Sequence, residues 1–210
     1  MQIKIITFKS KPKETPFAPE WLHYVGYGQM EGIDFKKIAT IILKKEKQII
    51  KEFPPTAKEN TDGYTLLGDK SLTSRYNYYN IIDWPEEEIK KLTKGIWKFH
   101  SLFLKALQIK YNKKLYIKAW ANVMHKGEQI KPHLHGVLPN SYLTGHITIQ
   151  TEESSTYYIN PVNQINDPEV RPIKNKVGQI TLLPACMPHY TDVYQGKIKR
   201  VSIGLDIKLL

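Results

Sequence analysis

The sequence predicts an α+β chain in which helices from the N-terminal half pack on one outer face of a C-terminal, double-sheet jelly roll. Three observations carry this. Two segments with helical spacing both lie before residue 108, short β-type runs take over from Lys114, and turn-forming residues separate those runs.

In chain order, residues 2–8 alternate as a strand and lead into the Pro-rich stretch Lys11–Pro19. Residues 34–52 have the apolar spacing of a helix, with Asp34 placed to cap it and Pro54-Pro55 to stop it. Residues 56–83 are polar, with Gly63-Tyr64 and the run Ser71–Asn80 rich in hydroxyls and tyrosines. A second helix follows Pro85 and runs to about Leu107, with Glu86, Glu87 and Glu88 in a first turn that suits the helix dipole. The β-type runs are Leu115–Met124, Leu143–Gln150, Ser155–Asn160, Gln179–Leu183 and Lys197–Lys208. Turns are expected at Lys126-Gly127, Pro139-Asn140, Asn160-Pro161, Asn166-Asp167-Pro168, Gly178 and Gln195-Gly196.

At 210 residues the chain is long enough for one sizeable core, and 41% hydrophobic residues argue for a packed protein rather than a disordered one. The net charge of +11 comes almost wholly from lysine, since Arg75, Arg171 and Arg200 are the only arginines among 31 basic residues. Readers of phosphates and base edges lean on the arginine fork, so a lysine-rich, arginine-poor balance fits biased composition better than a nucleic-acid surface. The lone Cys186 excludes an internal disulfide and, in the apolar run Leu182–Met187, reads as a buried inert thiol. No apolar run approaches a membrane span and the N-terminus lacks a signal peptide's apolar region, so no membrane partner and a cytoplasmic location are expected.

The chemistry concentrates in His133-x-His135, His189 and Arg200-x-Ser202. In an extended segment side chains alternate, so His133 and His135 point the same way and can bind one metal, with His189 arriving from a distant strand or turn. Arg200 on a late strand suits an anionic ligand gripped by two parallel hydrogen bonds, and the Ser202 hydroxyl projects from the same face.

Several ordered stretches carry a likeness. They are Trp120-Ala-Asn122-Val through Gly127 to Pro132-His133-Leu-His135, then Asn140-Ser-Tyr142-Leu-Thr-Gly145-His146, Gly178–Pro184 with Pro188-His189, and Arg200-Val-Ser202 to Asp206. Gly68-x-x-Ser71-x-Thr-Ser-Arg75 with Tyr79-Asn80 joins them upstream. Together, over roughly residues 60–208, the chain resembles the Fe(II)/2-oxoglutarate-dependent oxygenase superfamily, in particular a branch frequent among phages. The resemblance implies a cupin-like double-stranded β-helix and a single oxygenase domain over 1–210, with 1–113 as helical support and substrate-side loops and 114–210 as the catalytic core. It also implies Fe(II), 2-oxoglutarate and O2 as cofactor and co-substrates, with His133 and His189 on iron, and Arg200 and Ser202 on the distal carboxylate. The primary substrate could be a protein residue, a nucleobase or a small metabolite.

The chain departs from the usual triad of two histidines and a carboxylate, because His135 stands where the acid is expected. A three-histidine site is the first expectation; Glu128 or Asp192 as third ligand, or an incomplete and halogenase-like set, are the alternatives. Tyr142 and Asn122 are candidates to hydrogen-bond the co-substrate, with a packed Tyr and a structural Asn as the plain alternatives. Arg75 is a candidate for substrate contact if its loop folds over the mouth, against the plainer role of an Arg bonding carbonyls. Thr156 and Tyr158 share a face that could line the site, His146 and His125 are more simply structural or surface residues, and His23 and His100 receive no role. Two other functions compete: a cupin-like metal-binding module without oxygenase activity, which would not need Arg200-x-Ser202, and a nucleic-acid-binding protein, for which no motif speaks.

Overall fold

A computed structural model describes residues 1–56, 67–162 and 169–210; Gly63-Tyr64 of the polar stretch and the expected turn at Asn166-Asp167-Pro168 lie outside them. The chain runs β1 (Ile3–Lys9), β2 (Leu22–Gln29), α1 (Phe35–Glu52), α2 (Glu87–Ala106), β3 (Leu115–Met124), β4 (Leu143–Gln150), β5 (Ser155–Ile159), β6 (Val170–Lys174), β7 (Gln179–Pro184), β8 (His189–Thr191) and β9 (Arg200–Leu209). Two short 3-10 turns, Thr73–Arg75 and Ile81–Asp83, precede α2. Asp34 does cap α1, accepting a hydrogen bond from the Lys37 amide at 2.9 Å.

The strands form two antiparallel sheets, a major one in the order β1-β2-β7-β4-β9-β3 and a minor one in the order β6-β5-β8. β9 is the axis of the major sheet, paired along its whole length with β3 (Trp120 opposite Gly204, Asn122 opposite Ser202) and on its other edge with β4. Its side chains alternate between two very different surroundings. Val201, Ile203, Leu205 and Ile207 join the main hydrophobic core with Ile38 and Ile42 of α1 and with Leu92, Ile96 and Phe99 of α2. Arg200, Ser202, Gly204, Asp206 and Lys208 face the opposite way and line a cavity between the two sheets. A smaller apolar cluster of Phe8, Val25, Tyr158, Ile173, Leu183 and Met187 joins the sheets away from the cavity mouth.

The strand-rich half and the helices therefore stand as expected, but the N-terminal half contributes more than helices. β1 and β2 extend the major sheet by pairing with each other and with β7. β2, β6 and β8 are strands that the sequence pattern did not announce. The segment holding His133 and His135 is not a regular strand either: Pro132 interrupts it and only an isolated bridge, His133 opposite His189, is regular. It is nevertheless laced to the chain around β8 by backbone hydrogen bonds, including Gly127 to Tyr194, Thr191 to Ile130, both directions between His133 and His189, and His135 to Ala185. Residues 127–136 thus act as an irregular fourth strand of the minor sheet. Among the described residues no helix is long and apolar enough to cross a membrane.

Candidate metal and anion site

The three histidines meet. His133, His135 and His189 each offer a ligand atom, and these atoms lie within 4.8 Å of one another. The ring centroids are 4.4 Å apart for His133 and His189 and 5.2 Å for each of the other two pairs. The expectation that the first two point the same way therefore holds, although backbone bridges to 185–189 fix them in place of a regular strand.

What the second nitrogen of each ring does decides the chemistry. His133 Nδ1 lies 2.8 Å from the Lys131 carbonyl oxygen, His189 Nδ1 3.1 Å from that of Met187, and His135 Nδ1 2.7 Å from Asp206 Oδ1. All three partners can only accept, so each neutral ring donates from Nδ1 and carries its lone pair on Nε2. Three Nε2 lone pairs on one side, each ring oriented by an acceptor behind it, is how proteins prepare imidazoles for a metal. Burial, with the neighbouring His133 and His135, holds the His189 pKa well below its usual value, so the ring stays in the neutral form a metal needs. Burial pushes the Asp206 carboxyl upward, but the hydrogen bond from His135, with Lys208 and Thr144, outweighs it and holds its pKa below the usual carboxylate value. Trp120 stacks on the His135 ring at 5.6 Å, and Gly204 makes this possible: a methyl group there would lie 2.8 Å from the Trp120 ring.

No carboxylate joins the three histidines among the described residues. Glu128 Oε2 caps its own turn by accepting from the His125 amide, and Asp192 Oδ2 accepts from the Ser155 amide. The carboxylate at the site is instead Asp206, which sits behind His135.

The cavity holds about 430 Å³, within the range of small-molecule sites, and Arg200 lies inside it. Arg200 is only 2% exposed, and among the described residues its Nε has no hydrogen-bond partner while Nη1 donates to the Met124 sulfur at 3.1 Å. A desolvated guanidinium that makes no close ion pair is expensive unless an anion reaches it. Burial lowers its pKa to about 10, with nearby Asp192 acting the other way, so it remains a cation at neutral pH. Ser202 and Asn122 face the same cavity, and Asn122 Oδ1 accepts from the Thr73 hydroxyl at 2.6 Å.

Two expected contacts do not form. Arg75 is buried and its guanidinium is spent on the carbonyls of Phe53, Asp69 and Ser71 and on the Ser74 hydroxyl, so it locks its own loop and does not line the cavity. Its neighbours Thr73 and Tyr76 do line it. Tyr142 also faces elsewhere: its hydroxyl is 2.9 Å from His100 Nε2 and its ring stacks on Tyr111 at 4.8 Å, in a second, smaller hollow of about 230 Å³. Thr156 lines the cavity, whereas Tyr158 stands behind it. His125 is a surface residue 3.4 Å from Glu128. Sequence reasoning gave no role to Asp206 or Trp120; their signal was the period-2 pattern, which puts Asp206 on the Arg200 face of β9 and Trp120 opposite Gly204.

No family model and no curated protein matches this chain. Solved structures do. A Pseudomonas putida prolyl-4-hydroxylase superposes with a TM-score of 0.57 at 11% identity, covering 88% of this chain and 92% of that one. The architecture is the double-stranded β-helix of 2-oxoglutarate/Fe(II) oxygenases. A Trichoplax adhaerens prolyl hydroxylase, solved with a peptide fragment of a hypoxia inducible factor oxygen degradation domain, gives a TM-score of 0.54 at 14% identity, covering 87% of this chain and 83% of that one. A non-heme α-ketoglutarate-dependent epimerase of nogalamycin biosynthesis gives 0.56 at 10% identity, covering 87% and 76%. At these identities the likeness speaks for the fold; the site must speak for the chemistry.

Proposed function

We propose that the chain is an Fe(II)- and 2-oxoglutarate-dependent dioxygenase, a hydroxylase by reaction class, with residues 1–210 acting as one catalytic domain. The observation that carries this reading is Arg200: a fully buried guanidinium that makes no close ion pair among the described residues, with Asp192 near but not touching it, in the same cavity as three converging imidazoles. Three histidines alone would serve zinc or nickel equally well. A cupin-like module that only holds a metal has no use for a desolvated cation nearby, whereas a dicarboxylate that chelates the metal at one end and needs a counter-charge at the other uses both.

In this reading His133, His135 and His189 hold the iron through Nε2, Arg200 and Ser202 grip the distal carboxylate, and Asn122 lies beside them to hydrogen-bond the co-substrate. When bound, iron and the keto acid supply the oxygen chemistry: 2-oxoglutarate and O2 give succinate and CO2, and one oxygen atom enters a substrate C–H bond. The chain's own work is positional. Asp206 and the Lys131 and Met187 carbonyls fix the tautomers, Trp120 holds His135 in plane, and Leu134, Val137 and Leu138 put an apolar rim beside the metal that limits water. Because all three ligands are neutral, the loaded site is one charge more positive than the two-histidine, one-carboxylate kind, and iron is held less firmly.

The primary substrate belongs to the mouth formed by Thr73, Tyr76 and the 134–138 loop. Two of the structural neighbours are prolyl hydroxylases, one seen with a peptide, so proline-containing peptides are the first substrates to try, then DNA and small metabolites. The test is succinate formation from 2-oxoglutarate by the Fe(II)-loaded protein in air with ascorbate, with and without these candidates, alongside calorimetric binding of 2-oxoglutarate. Metal-dependent binding with turnover supports the reading; neither binding nor turnover would sink it.

A further inference from the structure

His146 sits on β4 with its ring in the cavity, yet it is neither one of the three clustered histidines nor part of the apolar core. Across the gap between the sheets its Nε2 lies 2.6 Å from the Tyr158 hydroxyl, the only hydrogen bond of the ring among the described residues. Tyr158 is fully buried with the Thr181 hydroxyl also beside it, and a buried phenol places its proton on an acceptor, for which His146 Nε2 is the nitrogen within reach. His146 is held neutral: burial, then the charge of nearby Arg200, lowers its pKa to about 3. A neutral imidazole that accepts at Nε2 carries its own proton on Nδ1. That leaves an N–H donor, fixed by a partner behind it, on a cavity wall close to a guanidinium whose Nε is unpartnered.

The geometry points to His146 as a second anion donor of the site, its Nδ1–H aimed with Arg200 at the carboxylate of the bound dicarboxylate, and to Tyr158 as the residue that sets its tautomer. This rests on the dioxygenase reading above and extends it, assigning to His146 the part that sequence reasoning offered to Tyr142. Tyr158 also packs against the His189 ring, with centroids 6.2 Å apart, so one phenol braces both ends of the site.

Two side chains separate donor from filler. Gln at 146 keeps a polar group near the Nε2 position and loses the Nδ1 donor; Asn keeps an amide near Nδ1 and loses the Tyr158 bond. With Mn(II) or anaerobic Fe(II) bound, His146→Gln is expected to raise the 2-oxoglutarate Kd about tenfold to a hundredfold, as for losing a hydrogen bond to a charged group, with metal affinity unchanged. His146→Asn should stay within about threefold of the wild type, on the same reasoning that one donor is retained. Tyr158→Phe should fall between, because the tautomer is no longer fixed. Nitrogen-15 NMR of the zinc-loaded wild type gives a readout that needs no variant: the His146 proton should be on Nδ1, and its resonance should move on adding 2-oxoglutarate. A proton found on Nε2, or His146→Gln binding as tightly as the wild type, overturns the assignment. If the wild type binds metal and 2-oxoglutarate and His146→Gln matches it, only this inference falls; if the wild type binds neither, the dioxygenase reading falls with it.

Discussion

The two faces of strand β9 differ as much as any two regions of the molecule. Toward the helices it presents Val201, Ile203, Leu205 and Ile207, all essentially inaccessible and packed among aliphatic and aromatic side chains. Toward the minor sheet it presents Arg200, Ser202, Gly204 and Asp206, as deeply set but polar. The first face earns stability by taking apolar area from water. The second costs some of it, since the Arg200 Nε and the neighbouring Thr148 hydroxyl are buried without hydrogen-bond partners among the described residues.

The comparison breaks most severely at the metal. His135→Ala or His189→Ala should abolish Fe(II) binding, seen as loss of metal in elemental analysis of the purified protein, and abolish 2-oxoglutarate turnover with it. Retained metal in His135→Ala would move the third ligand elsewhere. The next effect has opposite signs for binding and stability. Arg200→Met should weaken 2-oxoglutarate binding by about 2–5 kcal/mol, the loss expected when one partner of a buried charge pair is removed. The same variant, measured without ligand, should melt no lower than the wild type and up to about 1 kcal/mol more stable, because a buried charge that makes no close ion pair has gone. A large fall in thermal stability would mean that Arg200 is structural. On the helix side Ile203→Ala should cost about 2–5 kcal/mol in denaturant unfolding and leave the 2-oxoglutarate affinity of the folded fraction unchanged.

How far each face was legible in the sequence follows from the same contrast. β3 and β4 were marked as β-type runs set off by turn residues, and both ends fell where expected. β2 was hidden by Gly26 and Gly28, which lower strand propensity but are required: a methyl group at Gly26 would lie 2.5 Å from the Phe103 ring of α2, and one at Gly28 2.5 Å from the Gln2 carbonyl oxygen. β6 carries Pro172, tolerable because the strand is at a sheet edge, and β8 has three residues, too few for a period. For the site, spacing announced the histidines and Arg200 because ligand chemistry restricts residue type. Arg75 and Tyr142 misled because their partners, loop carbonyls and His100, are set by tertiary packing that spacing does not encode.

The finest test falls on Asp206, where the two ends of the cavity-facing row meet opposite demands. Among the described residues Arg200 makes no close ion pair, whereas the Asp206 carboxylate accepts from His135 Nδ1–H. Its neighbour Lys208 reaches the other oxygen at 3.3 Å, but that ammonium is half exposed and adds little. The carboxylate's main work is therefore on His135 Nδ1–H. Asp206→Asn keeps an acceptor of nearly the same shape, so the tautomer and ring position should survive while the ring loses basicity. Metal affinity is then expected to drop by about tenfold, the lower end for such outer partners, and 2-oxoglutarate affinity at saturating metal should stay the same. Asp206→Ala, which removes the acceptor and frees the ring to turn, should cost about a hundredfold. Equal losses in the two variants, read by competition against a metal-binding dye, would show that charge and not orientation is what Asp206 contributes.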